Sequence, residues 1–426
     1  MVCFQLFALA PYLTGEWFQA AHSSAAKFHW GLPMAVEHQR LRKWTRPFIP
    51  KRGPGRVLRL VRYRGAVPKQ RRLGVIRRLC EQAALYLLNG LHPGEYYLYG
   101  LEDSLVSWNH KKAFLSEERA PSYWDALAPQ RYRVLLANKL VAHRLLWGWG
   151  LPVPRLYGVF DPVCGRTESG APLRSADDLR RWATVGPVAE FVLKPIESGE
   201  GHLVLPLTRN GELLEAPNGV KYSWDGLVEF MTDAKNLRRA YPIRPEPPAT
   251  FLLQERLRRH ESLSSFATET VCSVRVLTLL NMAGNVEIVA ATFKLPNLDR
   301  GVDNLAQGGM AVSVDLGTGV LGEGVLYRTL PPRRFRAPLG GTREFVGFRL
   351  PFWDEVLDLA KQAARAFSFV RAIGWDIALS KAGPFILEGN DTWSVPMLQQ
   401  SSGRGLAQGA LKEAFLKLRT AKFRRG

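Results

Sequence analysis

The sequence near the carboxyl end of the chain contains Gly374-Trp-Asp-Ile-Ala-Leu-Ser-Lys-Ala-Gly-Pro-Phe-Ile-Leu-Glu-Gly-Asn390, which predicts a β-hairpin. Two β-type runs, Trp375–Leu379 and Phe385–Glu388, flank five residues of turn chemistry that end in Gly-Pro. A turn centred on Ala382 would place Asp376 directly opposite Glu388, with their Cβ atoms roughly 5 Å apart. Asn390 would project from the same face, because side chains alternate along a strand.

These three side chains form a candidate metal site. Two carboxylates at this spacing repel each other unless a cation lies between them, and hard oxygen ligands of this kind suit Mg²⁺. The sequence therefore predicts Asp376, Glu388 and Asn390 as metal ligands. The alternative is a solvated hairpin whose acids face water, because an acid two residues before an amide is common after a hydrophobic strand.

The composition indicates a globular protein of two or three domains. The chain has 426 residues, of which 46% are hydrophobic and 11% aromatic. Scattered cysteines without a CxxC pair argue against a zinc site or a disulfide framework and fit a reducing cytoplasm. They are Cys3, Cys80, Cys164 and Cys272. The apolar stretch Met1–Ala21 is interrupted by proline and glutamate and has no basic residues before it, so it predicts neither a membrane span nor a signal peptide.

The positive charge is large and unevenly distributed. The formal net charge is +20, and the run from Arg40 to Arg78 contains fifteen Lys or Arg residues and no acid. The C-terminal residues 412–425 add six more cations. Such a surface attracts polyanions, so nucleic acid, an anionic membrane surface and an acidic polysaccharide are all candidate partners of a cytoplasmic protein. The alternative is a basic surface that is only solvated.

Two amphipathic helices and an irregular arm are predicted in the first third of the chain. Residues 1 to about 70 contain proline and glycine breakers and no sustained period, which predicts an arm with short helical pieces. A helix is expected from Leu73 to Leu88, and another from Arg131 to Trp147. The apolar stripe of the first helix comprises Leu73, Ile76, Cys80, Ala83 and Leu87.

Two segments in the middle of the chain are candidate nucleotide contacts. A buried strand ends in Lys194 and is followed by the glycine-rich turn Ser198–Gly201, whose backbone N–H groups could surround phosphate oxygens. The alternative is an ordinary turn. The strand Leu252–Leu257 runs into a polar hinge whose main-chain groups could pair with an adenine edge while Glu255 stays near the nucleotide. By itself this segment is equally consistent with a structural strand.

Arg275 lies inside the predicted strand Ser273–Leu280, where an apolar residue is expected. A buried arginine needs an anionic partner, because an isolated charge is costly to desolvate. That partner could be a ligand or a structural acid such as Glu287 on the neighbouring strand. Lys294, Arg300 and the double-glycine segment Asp303–Gly309 follow, and such glycines permit close approach of the backbone to a ligand.

Taken in order from Asn138 to Met397, these motifs resemble those of the ATP-grasp superfamily. The segments Gly90–Leu101 and Asp303–Gly309 resemble its sugar-transfer associated branch, which is related to α-L-glutamate ligases. The resemblance implies an α+β fold in which two α+β subdomains clamp ATP, preceded by a basic, mainly helical N-terminal region. The expected divisions are residues 1–130, 131–260 with the glycine-rich loop and hinge, and 261–426 with the metal-binding hairpin.

The resemblance also implies a role for each matching residue in binding ATP. Two lysines would hold the α- and β-phosphates: Lys139 and Lys194. A flexible loop would cover the triphosphate: Ser198, Gly199 and Gly201. The hinge would meet adenine: Gln254, Glu255 and Leu257. The acid that contacts the ribose has no unambiguous match, and the nearest candidate is Glu261.

The remaining matches concern Mg²⁺ and the transferred phosphate. The expected Mg²⁺ ligands are Asp376, Glu388 and Asn390. The residues expected near the γ-phosphate and the acyl intermediate are Arg275, Lys294, Arg300 and Asn304.

The resemblance implies an ATP-dependent ligase in which a carboxylate substrate is phosphorylated by ATP and an amine then displaces phosphate to form an amide. The basic arm favours an acidic glycan, or its precursor, as the carboxylate substrate, with an amino compound such as an amino acid as the acceptor. One alternative is a peptide or small-metabolite ligase of the glutamate type. Another is a non-catalytic protein that binds a polyanion, although the intact acid and Glu-x-Asn set argues against a decayed site and nucleic acid is the less favoured partner.

Overall fold

The computed structural model describes residues 67–186, 188–198, 201–240, 248–267, 271–295, 309–339, 341 and 343–423. The predicted arm up to residue 66, the apolar stretch Met1–Ala21 and the last three residues lie outside this part of the chain. None of the helices in the described ranges is long and apolar enough to cross a lipid bilayer.

The described residues alternate between helices and short antiparallel strands. In chain order the α-helices are α1 (Val75–Asn89), α2 (Pro93–Leu98), α3 (Trp108–Lys111), α4 (Ala120–Leu127), α5 (Gln130–Ala137), α6 (Lys139–Gly148), α7 (Ala176–Val185), α8 (Trp224–Thr232), α9 (Ala234–Ala240), α10 (Trp353–Ala366), α11 (Val395–Ser402) and α12 (Gly409–Phe423). Short 3₁₀ turns occur at Lys69–Arg71 and Glu261–Leu263.

The strands form two antiparallel sheets of seven strands each within the described ranges, and both sheets belong to one compact unit. Sheet 1 has the order β2-β1-β7-β3-β4-β5-β6 and contains β1 (Leu156–Phe160), β2 (Arg166–Thr167), β3 (Glu190–Pro195), β4 (Leu205–Asn210), β5 (Leu213–Glu215), β6 (Lys221–Tyr222) and β7 (Phe251–Glu255). Sheet 2 has the order β12-β11-β10-β9-β8-β13-β14 and contains β8 (Ser273–Leu280), β9 (Val286–Leu295), β10 (Met310–Val314), β11 (Leu321–Leu326), β12 (Arg334–Phe335), β13 (Ala372–Ser380) and β14 (Gly383–Asn390).

Helices cover both sheets and leave one polar region on sheet 2. On sheet 1, Leu179 of α7 and Trp224 of α8 pack with Phe191 of β3. On one face of sheet 2, α10 packs against the apolar cluster that contains Trp375. On the opposite face, α11 covers strands β9 to β11. The end of that face formed by β8, β13 and β14 is therefore the part where polar side chains collect.

The predicted hairpin is present, and Asp376 lies opposite Glu388 as expected. The expected five-residue turn centred on Ala382 was wrong, because Ser380 pairs with Gly383 across a turn of only Lys381 and Ala382. An irregularity in the register between Asp376 and Ile377 shifts the pairing by one residue. A bulge of this kind adds one residue to one strand, which restores the pairing of the two acids.

The single helix predicted over Arg131–Trp147 is divided at Asn138 into α5 and α6. The backbone of Asn138 is extended (φ −87°, ψ 108°), and its side-chain oxygen accepts hydrogen bonds from the N–H groups of Leu140 and Val141, both at 3.1 Å. This is the geometry of an N-cap, which satisfies N–H groups that have no partner within the helix. The cap places Lys139 at the first position of α6.

The helix predicted over Leu73–Leu88 is also present, but most of its apolar stripe does not face the core. Leu73, just before α1, is buried, whereas Ile76 and Leu87 are 80% and 76% exposed. Cys80 and Ala83 are exposed as well. The opposite side of α1 contacts the rest of the protein through the buried Leu85 and through hydrogen bonds of polar side chains, so periodicity located the stripe but not the side that is buried.

Replacement of Asn138 by alanine tests the role of the cap. Because two N–H groups at the start of α6 would lose their acceptor, we expect Asn138→Ala to lower the free energy of unfolding by about 1 kcal/mol. Asn138→Ser keeps an acceptor oxygen at the cap and is expected to remain close to the parent protein. Urea-induced unfolding followed by circular dichroism measures both, and equal midpoints for the parent and Asn138→Ala would show that the cap contributes nothing.

Candidate active site

Three charged side chains lie in a row across sheet 2. Arg275 on β8 pairs with Asp376 on β13, which in turn pairs with Glu388 on β14. Residues directly opposite each other on antiparallel strands project from the same face, so these three side chains are neighbours. Lys294 on β9 pairs with Ser273 and therefore belongs to the same face, one pleat from Arg275.

Asp376 is bound by two cations. It is 2% exposed, and Arg275 donates to both of its oxygens, from Nε to Oδ1 and from Nη2 to Oδ2 at 2.7 Å. Lys294 Nζ also donates to Oδ2, at 3.1 Å. Burial by itself would raise the pKa of the Asp376 carboxyl, but the charges of Arg275 and Lys294 hold that pKa well below its usual range. Asp376 is therefore ionised at neutral pH.

Two expectations about this row are corrected by these contacts. The structural partner considered for Arg275 was Glu287, but Arg275 binds Asp376, and Glu287 accepts a hydrogen bond from Asn281 Nδ2 at 2.6 Å. The expectation that only a bound cation could offset the repulsion between Asp376 and Glu388 was also wrong, because Arg275 and Lys294 already neutralise Asp376.

Two lysines from the other half of the chain approach this row. Lys139 Nζ donates to the carbonyl oxygen of Ser198 at 2.6 Å, and burial lowers the pKa of Lys139 against the opposing charges of Glu388 and Glu197. Burial lowers the pKa of Lys194 on β3 to about 8; Lys139 and Lys294 act in the same direction, while Glu388 and Asp376 oppose it. Helix α6 contacts β14, and the N–H of Lys139 donates to the carbonyl oxygen of Ile196, just after β3, at 2.8 Å, so the end of β3 lies close to the β13–β14 hairpin.

Among the described residues, cations slightly outnumber carboxylates in the resulting cluster. The four cations are Lys139, Lys194, Arg275 and Lys294, and the three carboxylates are Asp376, Glu388 and Glu197, of which Glu197 acts on Lys139. Cations in a desolvated place are costly unless an anion accompanies them, and the lowered pKa of Lys194 is a direct sign of that cost. These side chains therefore fit a ligand that carries several negative charges, such as a triphosphate.

The same region also contains oxygen atoms that could bind a divalent cation. Within the described part of the chain, Glu388 makes no hydrogen bond or ion pair, and Asn390 donates its amide nitrogen to the carbonyl oxygen of Gly374 at 3.2 Å, which leaves the amide oxygen as an acceptor. No three His, Cys, Asp or Glu side chains among the described residues are grouped to hold a metal, so the candidate protein ligands here are the two carboxylates of Asp376 and Glu388 and the amide oxygen of Asn390. Mg²⁺ commonly takes one or two carboxylates and completes its shell with water and phosphate, which this set fits.

The predicted hinge lies in the same sheet as Lys194. Strand β7 pairs with β3, and Gln254 on β7 is buried. Glu255 is held by the backbone of Arg155, just before β1. Its N–H donates to the carbonyl oxygen of Arg155 at 2.8 Å, and its carboxylate accepts from the N–H of Arg155 at 3.2 Å. Leu257 follows the strand and is half-buried. The hinge residues are thus carried by the strand next to the one that carries Lys194.

Glu261 is not brought to the charged cluster. It is exposed and forms an ion pair of 3.0 Å with Lys381, in the turn of the β13–β14 hairpin. This turn is the end of the hairpin away from Asn390. Where the predicted nucleotide-binding residues are described, none of them contacts Glu261.

The glycine-rich loop is described only in part. Ser198 contacts Lys139, while Gly199 lies outside the described residues, as do Arg300 and Asn304. Gly201 has a φ of 65° and Leu203 a φ of 57°, both in the left-handed region. Two such residues keep the chain out of an extended conformation, so β4 begins at Leu205.

The sequence analysis did not identify two residues of the site, Asn138 and Gly374. Asn138 caps the helix that begins at Lys139, and its Nδ2 donates toward Glu197 at 3.5 Å. Its signal in the sequence was an asparagine directly before the residues of α6, where asparagine is a favoured N-cap. Gly374 lies beside Arg275, and a Cβ atom there would be 3.0 Å from Arg275 Cδ and 3.0 Å from Trp393 Cβ. A larger residue would therefore push Arg275 away, which only knowledge of the strand pairing could reveal.

Comparison with known proteins gives one family and several distant structures. The model of the sugar-transfer associated ATP-grasp family matches residues 118–413. No curated protein matches the chain. The chain is similar to biotin carboxylase from Campylobacter jejuni in a β-γ-ATP complex (13% identity over 67% of this chain and 47% of that one, TM-score 0.40). It is also similar to the ATP-grasp ligase PsnB with a minimal precursor (17% identity over 68% of this chain and 64% of that one, TM-score 0.34). A third similar structure is an L-amino acid ligase from Bacillus licheniformis (11% identity over 67% of this chain and 48% of that one, TM-score 0.35).

The matches cover less than two thirds of each of these three proteins. At such identities and TM-scores they carry no argument about the activity of this chain. The family match is different in kind, because it spans more than half of the chain and includes both sheets of the fold. It confirms the predicted resemblance and the α+β ATP-grasp fold. The chain belongs to the sugar-transfer associated ATP-grasp family.

Proposed function

We propose that this protein is an ATP-dependent carboxylate–amine ligase. The observation that carries the proposal is the charged cluster in which Arg275 and Lys294 bind the buried Asp376 while the buried Lys194 interacts with Asp376 and Glu388, and burial lowers the pKa of Lys194 to about 8. A site of this kind favours a polyanionic ligand, because phosphate oxygens would stabilise the charged form of the buried lysines. ATP-grasp proteins are ATP-dependent ligases, which agrees with a triphosphate at this place.

In this proposal the two halves of the site hold different parts of ATP. Lys139 and Lys194 bind the α- and β-phosphates, and the loop residues Ser198, Gly199 and Gly201 cover the triphosphate. The adenine ring lies against Gln254, Glu255 and Leu257. Lys139 is well placed for its role, because its ammonium group already contacts the first residue of the loop. Glu261 is the less supported member of the set, since it pairs with Lys381 at the hairpin turn.

Asp376, Glu388 and Asn390 would hold Mg²⁺. When bound there, Mg²⁺ would offset the charge of the phosphate oxygens and fix their orientation. Asp376 is held in place by Arg275 and Lys294, so its carboxylate is oriented before any ligand arrives. Asn390 is oriented by its hydrogen bond to Gly374.

The proposed reaction has two steps. A carboxylate oxygen of the substrate attacks the γ-phosphorus of ATP, and the bond between the γ-phosphorus and the β–γ bridging oxygen breaks. The products of this step are an acylphosphate and ADP. The nitrogen of an amine then attacks the acyl carbon, phosphate leaves with that carboxylate oxygen, and the amine loses a proton to form the amide. Arg275 and Lys294 offset the negative charge near the transferred group, as in other phosphoryl transfers. Arg300 and Asn304 are proposed to act beside them.

We further propose that the carboxylate belongs to an acidic glycan or its precursor and that the acceptor is an amino compound. The support is the description of the family as sugar-transfer associated, together with the run from Arg40 to Arg78, which has fifteen cations and no acid. A uronic acid polymer is a polyanion with many carboxylates, so the same basic surface would attract it. Peptide or small-metabolite carboxylates are the alternative, and a substrate screen separates them.

Transfer of oxygen from the substrate tests the proposed reaction. The protein is incubated with Mg-ATP, amino acids and a panel of oligouronides, peptides and small carboxylic acids, and ADP and product mass are measured. For the pair that reacts, a carboxylate labelled with ¹⁸O is expected to give inorganic phosphate with one ¹⁸O atom. Phosphate without the label would contradict an acylphosphate, and a protein that binds nucleotide but forms no ADP with any pair would support the non-catalytic alternative.

Replacement of Glu388 tests the proposed metal ligand. Glu388→Gln removes one negative oxygen ligand, so we expect the rate of ADP formation to fall by about 10²–10³-fold. Because Glu388 makes no ion pair in the described part of the chain, the unfolding midpoint should change little. Glu355→Gln, an exposed position on α10, serves as the matched control and should keep the parent rate. An unchanged rate in Glu388→Gln would remove Glu388 from the site.

The pH dependence of nucleotide binding tests Lys194. Its lowered pKa of about 8 means that Lys194 is charged below pH 8 and loses its proton above it, before the nucleotide binds. A bound phosphate favours the charged form, so the dissociation constant for Mg-ADP should rise above pH 8, by up to about tenfold per pH unit. Lys194→Arg stays charged and should show a smaller rise between pH 7 and 9.5, to which only Lys139, whose pKa burial also lowers, would still contribute.

Titration calorimetry at several pH values measures these constants. Lys381→Arg, at the exposed hairpin turn, is the control and should follow the parent protein. Identical pH profiles for the parent protein and Lys194→Arg would show that Lys194 does not contact the nucleotide.

A further inference from the structure

Helix α1 faces the rest of the protein with the buried Leu85 and with polar side chains that form hydrogen bonds. Glu81 accepts hydrogen bonds from the buried Lys111 Nζ at 2.7 Å and from the Tyr96 hydroxyl at 3.1 Å. Asn89 Nδ2 donates to the carbonyl oxygens of Lys112 and Phe114, at 2.6 and 3.1 Å. These bonds attach the helix firmly through side chains that normally face solvent.

The apolar side of α1 consequently faces outward. Helical residues three or four apart share a face, and on this face the exposed fractions are 63% for Val75, 80% for Ile76, 61% for Leu79, 46% for Tyr86 and 76% for Leu87. The outer stripe of α1 comprises Val75, Ile76, Leu79, Cys80, Ala83, Tyr86 and Leu87. Contiguous exposed apolar surface of this kind marks a contact with a partner or a membrane.

The surroundings of the outer stripe are cationic. Residues 67–90 contain five cations and one acid. That acid, Glu81, is already bound to Lys111 and lies 3.4 Å from Arg77. Two further acids lie close by: Asp103, which is paired with Arg71, and Glu102, which is fully buried and interacts with Arg72 and Arg78. The complement of this surface therefore has to be apolar and anionic at the same time. A second copy of the chain is a poor complement, because pairing two stripes would bring the same arginines together.

A cavity of about 630 Å³ begins where α1 ends, lined by Leu88 and Asn89. Its apolar lining includes the stacked rings of Tyr123 and Phe415, whose centroids are 3.9 Å apart. Its cations are Lys112, Arg119, Lys412 and Arg419. The acid on this part of α12, Glu413, is paired with Lys417 at 2.6 Å. The described residues that line the cavity include no acid, so its apolar and cationic lining has the same chemistry as the outer stripe and extends it.

We propose that α1 and this cavity form a docking surface for an anionic phospholipid bilayer. The outer stripe enters the boundary between headgroups and acyl chains, with the helix axis parallel to the membrane. The arginines beside the stripe and the cations of the cavity bind the anionic headgroups. This docking does not depend on the proposed ligase activity, and it would hold the protein at a membrane surface whatever reaction it catalyses.

The cysteines of the chain permit a direct test. Cys80 lies on the outer stripe and is exposed, Cys164 is exposed elsewhere, and Cys272 is buried. A polarity-sensitive fluorophore is attached to Cys80 in a full-length Cys3→Ser, Cys164→Ser protein. We expect a blue shift with vesicles of phosphatidylglycerol and phosphatidylcholine and none with phosphatidylcholine alone. The same label on Cys164, in a Cys3→Ser, Cys80→Ser protein, should not respond to either vesicle.

Variants of the stripe separate apolar insertion from simple charge attraction. A triple variant should bind the anionic vesicles roughly tenfold or more weakly in co-sedimentation: Ile76→Ser, Leu79→Ser and Leu87→Ser. The reason is that three apolar side chains that would be buried in the bilayer are lost. Val163 and Val185 are 82% and 81% exposed outside the stripe, so Val163→Ser with Val185→Ser is the matched control and should bind like the parent protein. All the substituted side chains are exposed, so the unfolding midpoints should not differ.

Three results would overturn the proposal. Equal binding of the stripe variant and the parent protein would mean that the basic run alone attracts the vesicles. A blue-shifted Cys80 label in monomeric protein without vesicles would mean that the chain covers its own stripe. A dimer in light scattering that becomes a monomer in the stripe variant would mean that a second copy covers it.

Discussion

The bidentate ion pair between Arg275 and Asp376 fixes the centre of the molecule. Both side chains are buried, and Lys294 binds the same carboxylate from the next strand. An unpaired charge at this depth would be strongly destabilising, so β8, β9 and β13 have to keep the register that joins the three groups. Gly374 leaves the space that Arg275 needs. The position of Glu388 on β14 follows from that of Asp376, its partner across the hairpin.

Two lysines from outside sheet 2 extend the row of Arg275, Asp376 and Glu388. Lys139 and Lys194 come from α6 and β3 and interact with Glu388 across the space between the sheets. Burial disfavours the charged form of Lys194, and an anionic ligand would offset that cost. The ion pair between Arg275 and Asp376 does not itself require Lys139 and Lys194, so the presence of these two lysines supports the binding site proposed above.

Local patterns in the sequence predicted the elements of this site, but contacts between distant residues were less accessible. The alternation of side chains predicted the hairpin and the pairing of Asp376 with Glu388, whereas the exact turn depended on a bulge that the sequence does not reveal. That Asp376 would bind Arg275, 101 residues away, depended on the strand order. Periodicity located the stripe of α1 correctly, yet it could not show that Glu81 and Asn89 would attach the opposite side to the protein.

We expect this cluster to bind a triphosphate together with a divalent cation. A crystal structure of the protein with Mg²⁺ and a non-hydrolysable ATP analogue is the decisive experiment. Mg²⁺ should lie at about 2.0–2.1 Å from oxygens of Asp376, Glu388 and Asn390, with phosphate oxygens on Lys139 and Lys194. An analogue bound elsewhere on the chain, or a metal held by none of these three residues, would contradict it.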